Sequence, residues 1–467
     1  MIAPKDALSH LLNLGQIAPD WIGSTSISGC DPILPTDFLL GTAGASVIAA
    51  AGVAASDLWQ LRTGKRQRIA VDMRSAVAAL RSDHYCRVNG SQLPDYRSAI
   101  HGFYPTRDSR WIQIHCNQPH HRDGVANFFG TGIDRTAIEK TIKKSWNAID
   151  LENALTEAQL CAGTVRTREE WINHPHARII DTLPLLDIVR IGDSQAEPLK
   201  SGDRPLSGIR VLDLTHVIAG PVGGRTMAEH GAEVLRLNAP HRPIHKHQMI
   251  DFGHGKRSAH LDLDTPKGVQ QLKDLVSNAD IFLQGYRPNA LASRGLSPEN
   301  LADLRPGIIC INLCAYGHAG PWSHKRGFDS LVQSVSGMVD DETIRKNSAK
   351  PIHLPAQALD YCTGYLIGFA AMAALAKRAR EGGSYLIRIS LCQTGHWIYN
   401  LGRIEQDIDN SCVSIPKFEE LSDLLIEEHG PFGTVRHLAP IAKLSETPGR
   451  WSRPSAPYGT DAPKWMT

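Results

Sequence analysis

The run Ile209-Arg-Val-Leu-Asp-Leu-Thr215 reads as a buried strand, and together with the residues up to Leu237 it constrains the chain more than any other segment. His216-Val-Ile-Ala-Gly-Pro-Val-Gly-Gly224 is a glycine-bearing turn, Arg225–Ala232 a helix, and Glu233–Leu237 a second short apolar run. Strand, turn, helix, strand is a βαβ unit, whose two strands lie parallel. The alternation continues. Thr265-Pro266 is an N-cap with proline at the first helical position, leading a helix over Lys267–Ser277. Ala279–Leu283 and Ile308–Leu313 read as further buried strands. The expected class is α/β, with a mostly parallel sheet in a large domain over 204–400.

At 467 residues the chain is long enough for two or three domains. Residues 1–99 form an N-terminal segment, 100–203 a small α+β domain ending in a linker over Leu185–Asp203, and 401–467 an extended C-terminal arm. In the small domain Arg110–Cys116 alternates like a strand and Asp134–Gln159 has helical periodicity. The Pro- and Trp-bearing arm does not have the composition to build a core of its own. A formal charge of +2 gives no electrostatic case for nucleic acid or a membrane surface. The longest apolar stretches, near Val47–Ala55 and Leu366–Ala376, look too short to span a bilayer. With no secretory pattern at the N-terminus and nine cysteines without a CxxC pair, the expected location is the cytoplasm.

A degenerate repeat links Gly41–Met73 to Leu359–Leu391. Each is an Ala/Gly-rich helix, a basic glycine turn and an alternating strand. The register that lays Met73 on Leu391 lays Thr42 on Asp360, so only the second copy has a carboxylate at its helix start. Asp360 there is open to two readings: a helix cap, or a carboxylate nucleophile approached across Gly364 and Gly368. Ala219–Gly224 offers backbone amides to an anion, but it is not a GxGxxG and Asn238 stands where a dinucleotide site needs an acid. Gly255-Lys256-Arg257 and Tyr286-Arg287 are candidate phosphate ligands, or ordinary basic residues in solvent. His241, His245, His247, His254 and His260 crowd one segment, and His245-x-His247 has a usable spacing, but no thiolate or carboxylate framework accompanies them, so no metal is expected. There is no GxSxG nucleophile turn.

Arg204-Pro-Leu-Ser-Gly-Ile-Arg-Val-Leu-Asp-Leu-Thr-His-Val-Ile-Ala-Gly-Pro221 resembles the opening of the family III CoA-transferases, the CaiB/BaiF group. Gly255–Leu263, Ala279–Pro288, Gly295-Leu296, Arg305-Pro306, Tyr316–Pro321 and the Asp360 segment continue the resemblance in the family's order. Thr63–Met73, His101–Asp108, Arg168–Trp171 and His174-Pro175 resemble segments that come later in the family, yet here they precede its opening motif. The chain therefore resembles a rearranged or partly duplicated member. The resemblance implies a Rossmann-like large domain, a smaller domain and an interlocked homodimer. It implies coenzyme A, carried as an acyl-CoA co-substrate, and a carboxylic acid as the other substrate.

By the same resemblance Asp360 is the catalytic aspartate, forming in turn a mixed anhydride and an aspartyl-CoA thioester. His216, Val217, Lys256, Arg257, Tyr286 and Arg287 would contact CoA. Asn238 and Gln284-Gly285 depart from the family's usual acid and Glu-Asn, and a glycine-rich active-site loop has no evident counterpart. Two alternatives stand beside transfer. A racemase would need a histidine where Phe328 stands, and phenylalanine moves no proton. A non-catalytic CoA-binding subunit would fit the degenerate first copy.

Overall fold

The computed structural model describes residues 1–95, 97–241, 246–404 and 413–466. At its centre is a seven-stranded sheet in the order Lys256–His260, Glu233–Asn238, Arg210–Leu214, Ile281–Gln284, Ile309–Cys314, Ser384–Ser390, Asp187–Gly192. Every neighbouring pair is parallel except the last. Parallel sheets are covered on both faces, which is why Val211–Leu214, Ile281–Leu283 and Ile309–Ile311 are continuous apolar or buried runs. From Arg210–Leu214 the chain adds two strands on one side, then crosses to add Ile281–Gln284 on the other. That reversal leaves a crevice beyond the carboxyl ends of the two adjacent strands, where ligands of open α/β sheets bind. The expected α/β class with a mostly parallel sheet is met, and the sheet also takes in Asp187–Gly192 from outside residues 204–400. The Thr265 cap is met too: its hydroxyl accepts the Gly268 amide at 3.1 Å over the helix Pro266–Val276.

The repeat is also a structural one. Leu40–Thr63 and Ala358–Glu381 are helices of 24 residues, each ended by a glycine at positive φ, Gly64 at 75° and Gly382 at 71°. Each leads to a strand, Ile69–Asp72 or Ser384–Ser390, whose last side chain caps the next helix: Asp72 over Met73–Ala79, Ser390 over Leu391–Asn400. The two long helices pack against each other. Both are long and apolar enough by composition to cross a membrane, contrary to the sequence expectation, and the apolar stretch of each is buried inside the fold.

Around these helices the halves exchange strands. Ile69–Asp72 pairs parallel with Thr25–Ser28 and antiparallel with Lys443–Leu444. Ser384–Ser390 pairs parallel with Ile309–Cys314 and antiparallel with Asp187–Gly192. The strand that follows the small unit thus completes the second copy's sheet, and one from the C-terminal region completes the first copy's. The expected linker therefore contains an edge strand. The C-terminal region likewise differs from a plain arm: Leu425–Gly430 and Gly433–Leu438 form a hairpin that continues onto Arg87–Val88 and Ser91–Gln92. Only the tail after it is extended. It closes the sheet edge at Lys256–His260, with the Asp461 amide donating to Ser258 O at 2.8 Å and the Gly255 amide to Arg453 O at 2.9 Å.

The small unit has three antiparallel strands, Gly102–Pro105, Trp111–Ile114 and Ala162–Thr164. Three helices cover it, Pro119–Phe129, Arg135–Ser145 and Ala148–Glu157, the last two divided at Trp146 and Asn147 where continuous periodicity suggested one. Ile112, Ile138, Ile142 and Leu151 belong to a core of its own. Glu152 fastens it to the large domain. Burial would raise this carboxyl, but Lys325 and Arg166, the latter at 2.7 Å, hold it down at about 2.

Helix Ala358–Glu381 meets helix Ala219–Glu229 through glycine. A Cβ on Gly364 would sit 2.6 Å from Val222 Cβ and 2.7 Å from the Ala219 carbonyl oxygen. Gly364→Val should lower the free energy of unfolding by about 1–3 kcal/mol, read by denaturant titration. A variant as stable as the parent would contradict this close approach.

Candidate active site

Two helix N-termini converge at Asp360. The residue is the third of helix Ala358–Glu381, and its side chain does not cap that helix. Asp329 does so instead: its Oδ2 accepts the Asp360 amide at 2.9 Å, the Leu359 amide bonds it as well, and Oδ1 accepts Gln333 Nε2 at 2.5 Å. Asp360 is left with the amide of Ala219, the first residue of the Rossmann helix Ala219–Glu229. The cap reading of Asp360 is thereby displaced. Its carboxylate is not needed to end its own helix.

Asp360 is 5% exposed and Asp329 1%. Burial pushes the Asp360 carboxyl well above the ordinary range, the neighbouring Asp329 charge adds to this, and Asp83 contributes further, against the Ala219 amide. Burial likewise raises Asp329, to about 6. Asp83 comes from the N-terminal segment and accepts a hydrogen bond from Tyr361 Oη at 2.7 Å.

The first copy repeats the arrangement without the second carboxylate. Asp31 Oδ1 accepts the Gly41 amide and Oδ2 the Thr42 amide, both at 2.8 Å, so Asp31 caps its helix as Asp329 caps the other. Thr42 is the third helical residue, and its hydroxyl donates to Asp31 at 2.8 Å.

Four of the six expected CoA contacts come together at the switch-point crevice. His216 and Val217 follow strand Arg210–Leu214, and Tyr286 and Arg287 follow Ile281–Gln284. The His216 and Tyr286 rings lie edge to face, 6.4 Å apart. Val217 holds φ at +68°, a left-handed conformation costly for a β-branched residue, and such strain clusters at functional sites. Asn238 Nδ2 lies 3.2 Å from His216 Nδ1, while its Oδ1 is buried with no hydrogen-bond partner among the described residues.

Lys256 and Arg257 are placed otherwise. Lys256 is buried beneath the turn, with Nζ 2.8 Å from Asp213 Oδ2 and 2.7 Å from Pro221 O. Asp213 Oδ1 in turn accepts the Thr215 amide at 3.0 Å and its hydroxyl at 2.5 Å. The ammonium thus supports the His216 loop from inside. Arg257 spends its charge on Glu233 at 3.0 Å and on Lys464 O at 2.7 Å, fixing the tail. His245 lies outside the described residues, as does the His247 side chain.

Residues 16–183 and 206–404 match the family model described as CoA-transferase family III. The chain belongs to that family. It is 28% identical over 326 residues to an acetyl-coenzyme A transferase of Hypoxylon pulicicidum, a match covering 65% of this chain and 54% of that one. It is 29% identical over 200 residues to the succinyl-CoA:glutarate CoA-transferase of Mus musculus, covering 40% and 45%. A crystal structure from M. tuberculosis is 30% identical, with a TM-score of 0.39, covering 42% of this chain and 59% of that one. The chain spans about half the length of the curated relatives it matches.

In this family III chain two residues of the site escape sequence reading. Asp329 is visible there only as the neighbour of Phe328, and nothing in its spacing announces a bond 31 residues along the chain. Arg326 is the other. Burial lowers its pKa, and the Arg287 guanidinium lowers it further. Arg326 Nη1 lies 3.1 Å from His121 Nε2 and Arg287 Nη1 donates to Gln159 Oε1 at 3.2 Å, so both face the small unit.

Because the Asp329 charge opposes ionisation of Asp360, removing it should make Asp360 the stronger acid. In Asp329→Asn, carbon-13 NMR of labelled aspartate should show Asp360 ionising at lower pH than in the parent. An unchanged or higher midpoint would contradict the pairing.

Proposed function

We propose that this chain transfers CoA from an acyl-CoA thioester to a carboxylic acid through covalent intermediates on Asp360. The observation that carries the reading is the release of Asp360 from capping by Asp329, which leaves a buried carboxylate facing a helix N-terminus. Such a group is poorly solvated, and therefore reactive once ionised.

The steps balance without a net proton. Asp360 attacks the thioester carbonyl, and the tetrahedral oxyanion collapses with cleavage of the C–S bond. CoA thiolate leaves and a mixed anhydride remains. The thiolate then attacks the aspartyl carbonyl, expelling the donor carboxylate and leaving aspartyl-CoA. The acceptor carboxylate displaces the thiolate to form a second anhydride, and thiolate attack on the acceptor's carbonyl frees Asp360. Ala219 N–H orients the carboxylate. The oxyanions form beside two helix N-termini, whose amides favour negative charge.

The crevice supplies the remainder. Arg287 and Arg326 offer forked donors to the CoA phosphates, and His216, Val217 and Tyr286 stand at the carboxyl ends of the two adjacent strands. The unpartnered Asn238 Oδ1 offers an acceptor to a ribose hydroxyl. The names of the relatives, one an acetyl-CoA transferase and one using succinyl-CoA and glutarate, support transfer as the reaction class, and their variety leaves donor and acceptor unassigned for this chain. We further propose that the strand exchange inside the chain takes the place of the interlock expected between two copies. The racemase alternative finds no base at Phe328, whose ring stacks on His115 at 3.7 Å.

Asp360→Asn should reduce CoA exchange by about three orders of magnitude or more, measured with labelled CoA and matched acyl donors. The Asp360 carboxyl binds its proton more tightly folded than unfolded, so its ionisation costs stability as pH rises from the unfolded value toward the folded one. The neutral variant should therefore melt at or above the parent's temperature at pH 8. Unimpaired exchange by such a folded variant would overturn the assignment.

A further inference from the structure

His254, Glu428 and His437 meet far apart in sequence and outside the transfer site. His254 lies in the turn before strand Lys256–His260, Glu428 on Leu425–Gly430 and His437 on Gly433–Leu438. Glu428 is paired with Val435 across the hairpin, and side chains alternate, so Glu428 and His437 share one face. His254 Nδ1 is 3.0 Å from Glu428 Oε2, and His437 Nε2 is 3.4 Å from the same oxygen. One ligand atom from each residue lies within 4.8 Å of the other two.

His437 Nδ1 is 3.0 Å from Leu438 O, a carbonyl that can only accept, so Nδ1 donates to it. His437 Nε2, 3.4 Å from Glu428 Oε2, is buried, has no hydrogen-bond partner among the described residues, and belongs to a side chain 1% exposed. A buried nitrogen without a partner, beside a carboxylate oxygen and a second imidazole, is a donor set that a cation would complete.

We propose that these three residues bind zinc(II), tying the C-terminal hairpin to the loop that starts the edge strand of the large sheet. Tetrahedral zinc with bonds near 2.0–2.2 Å places neighbouring ligand atoms about 3.3 Å apart. The 3.0 and 3.4 Å separations bracket that value. The His437 bond to Leu438 O is the outer contact that orients a ligating imidazole. Two imidazoles and a carboxylate with a water in the fourth position are a tetrahedral zinc donor set, and Glu428, the most exposed of the three at 21%, gives the ion and that water their way in.

The purified full chain, stripped with a chelator and dialysed, is titrated with zinc sulfate and separately with cobalt(II). One zinc per chain by atomic emission, a visible cobalt band of tetrahedral type and a higher melting temperature with zinc are expected. All three should be lost in Glu428→Gln, a near-isosteric change at the least buried ligand, and in His437→Gln. Cys30→Ser, at an exposed thiol, should change none of them. Failure to take up zinc overturns the proposal in favour of a cluster held by hydrogen bonds to Glu428 alone. Full uptake by folded Glu428→Gln overturns it in favour of adventitious binding. Should His437→Gln not fold, Glu428→Gln decides alone.

Discussion

Two carboxyl groups, Asp329 and Asp360, share a pocket with almost no exposure to solvent, and the architecture serves to hold them there. Neither would stay in such a place unaided, because burial raises the proton affinity of both and the Asp329 charge raises that of Asp360 further. Amides make the pairing tolerable. Asp329 takes the first turn of its neighbour's helix and the Gln333 side chain, and Asp360 takes the start of a second helix. Small residues bring those helices close enough: Gly223 faces Ile367, Gly364 faces Val222, and Gly368 faces Thr226. Side chains there would push Ala219 away from Asp360.

The first copy separates capping from the proposed nucleophile. Its helix keeps a capping carboxylate, Asp31, in the same relation to two amides, but carries Thr42 at the position equivalent to Asp360. Capping is a structural duty that both copies retain. A second buried carboxylate at the helix start destabilises its surroundings without a structural return, and among the described residues it occurs in the copy joined to a Rossmann sheet and a small unit but not in the first. The strand exchange binds the two copies into one body, and the Glu152 ion cluster closes the small unit against the large domain beside the crevice.

Much of this is legible in the residues. The βαβ run at Ile209–Leu237 and the strands after it predict the sheet, since buried parallel strands leave long apolar signatures. The repeat, and the contrast of Thr42 with Asp360, single out the aspartate proposed as nucleophile. The features hidden from the sequence depend on contacts distant along the chain. Asp329 acts by a bond across 31 residues, and Asp187–Gly192 is a strand only because Ser384–Ser390 lies beside it. Lys256 and Arg257 have the composition of phosphate ligands, but whether a cation faces solvent or a buried acid is settled by tertiary packing, and here Asp213 and Glu233 take them. The hairpin at Leu425–Leu438 is hidden in a stretch whose prolines and tryptophans suggest an arm.

The central claim is that Asp360 becomes covalently attached during CoA transfer. Mass spectrometry tests it directly, on protein mixed with a panel of acyl-CoAs and quenched with hydroxylamine or borohydride. The predicted result is a modification confined to the peptide carrying Asp360 and abolished by omitting the acyl-CoA. Binding of acyl-CoA with turnover but with Asp360 always unmodified would contradict it.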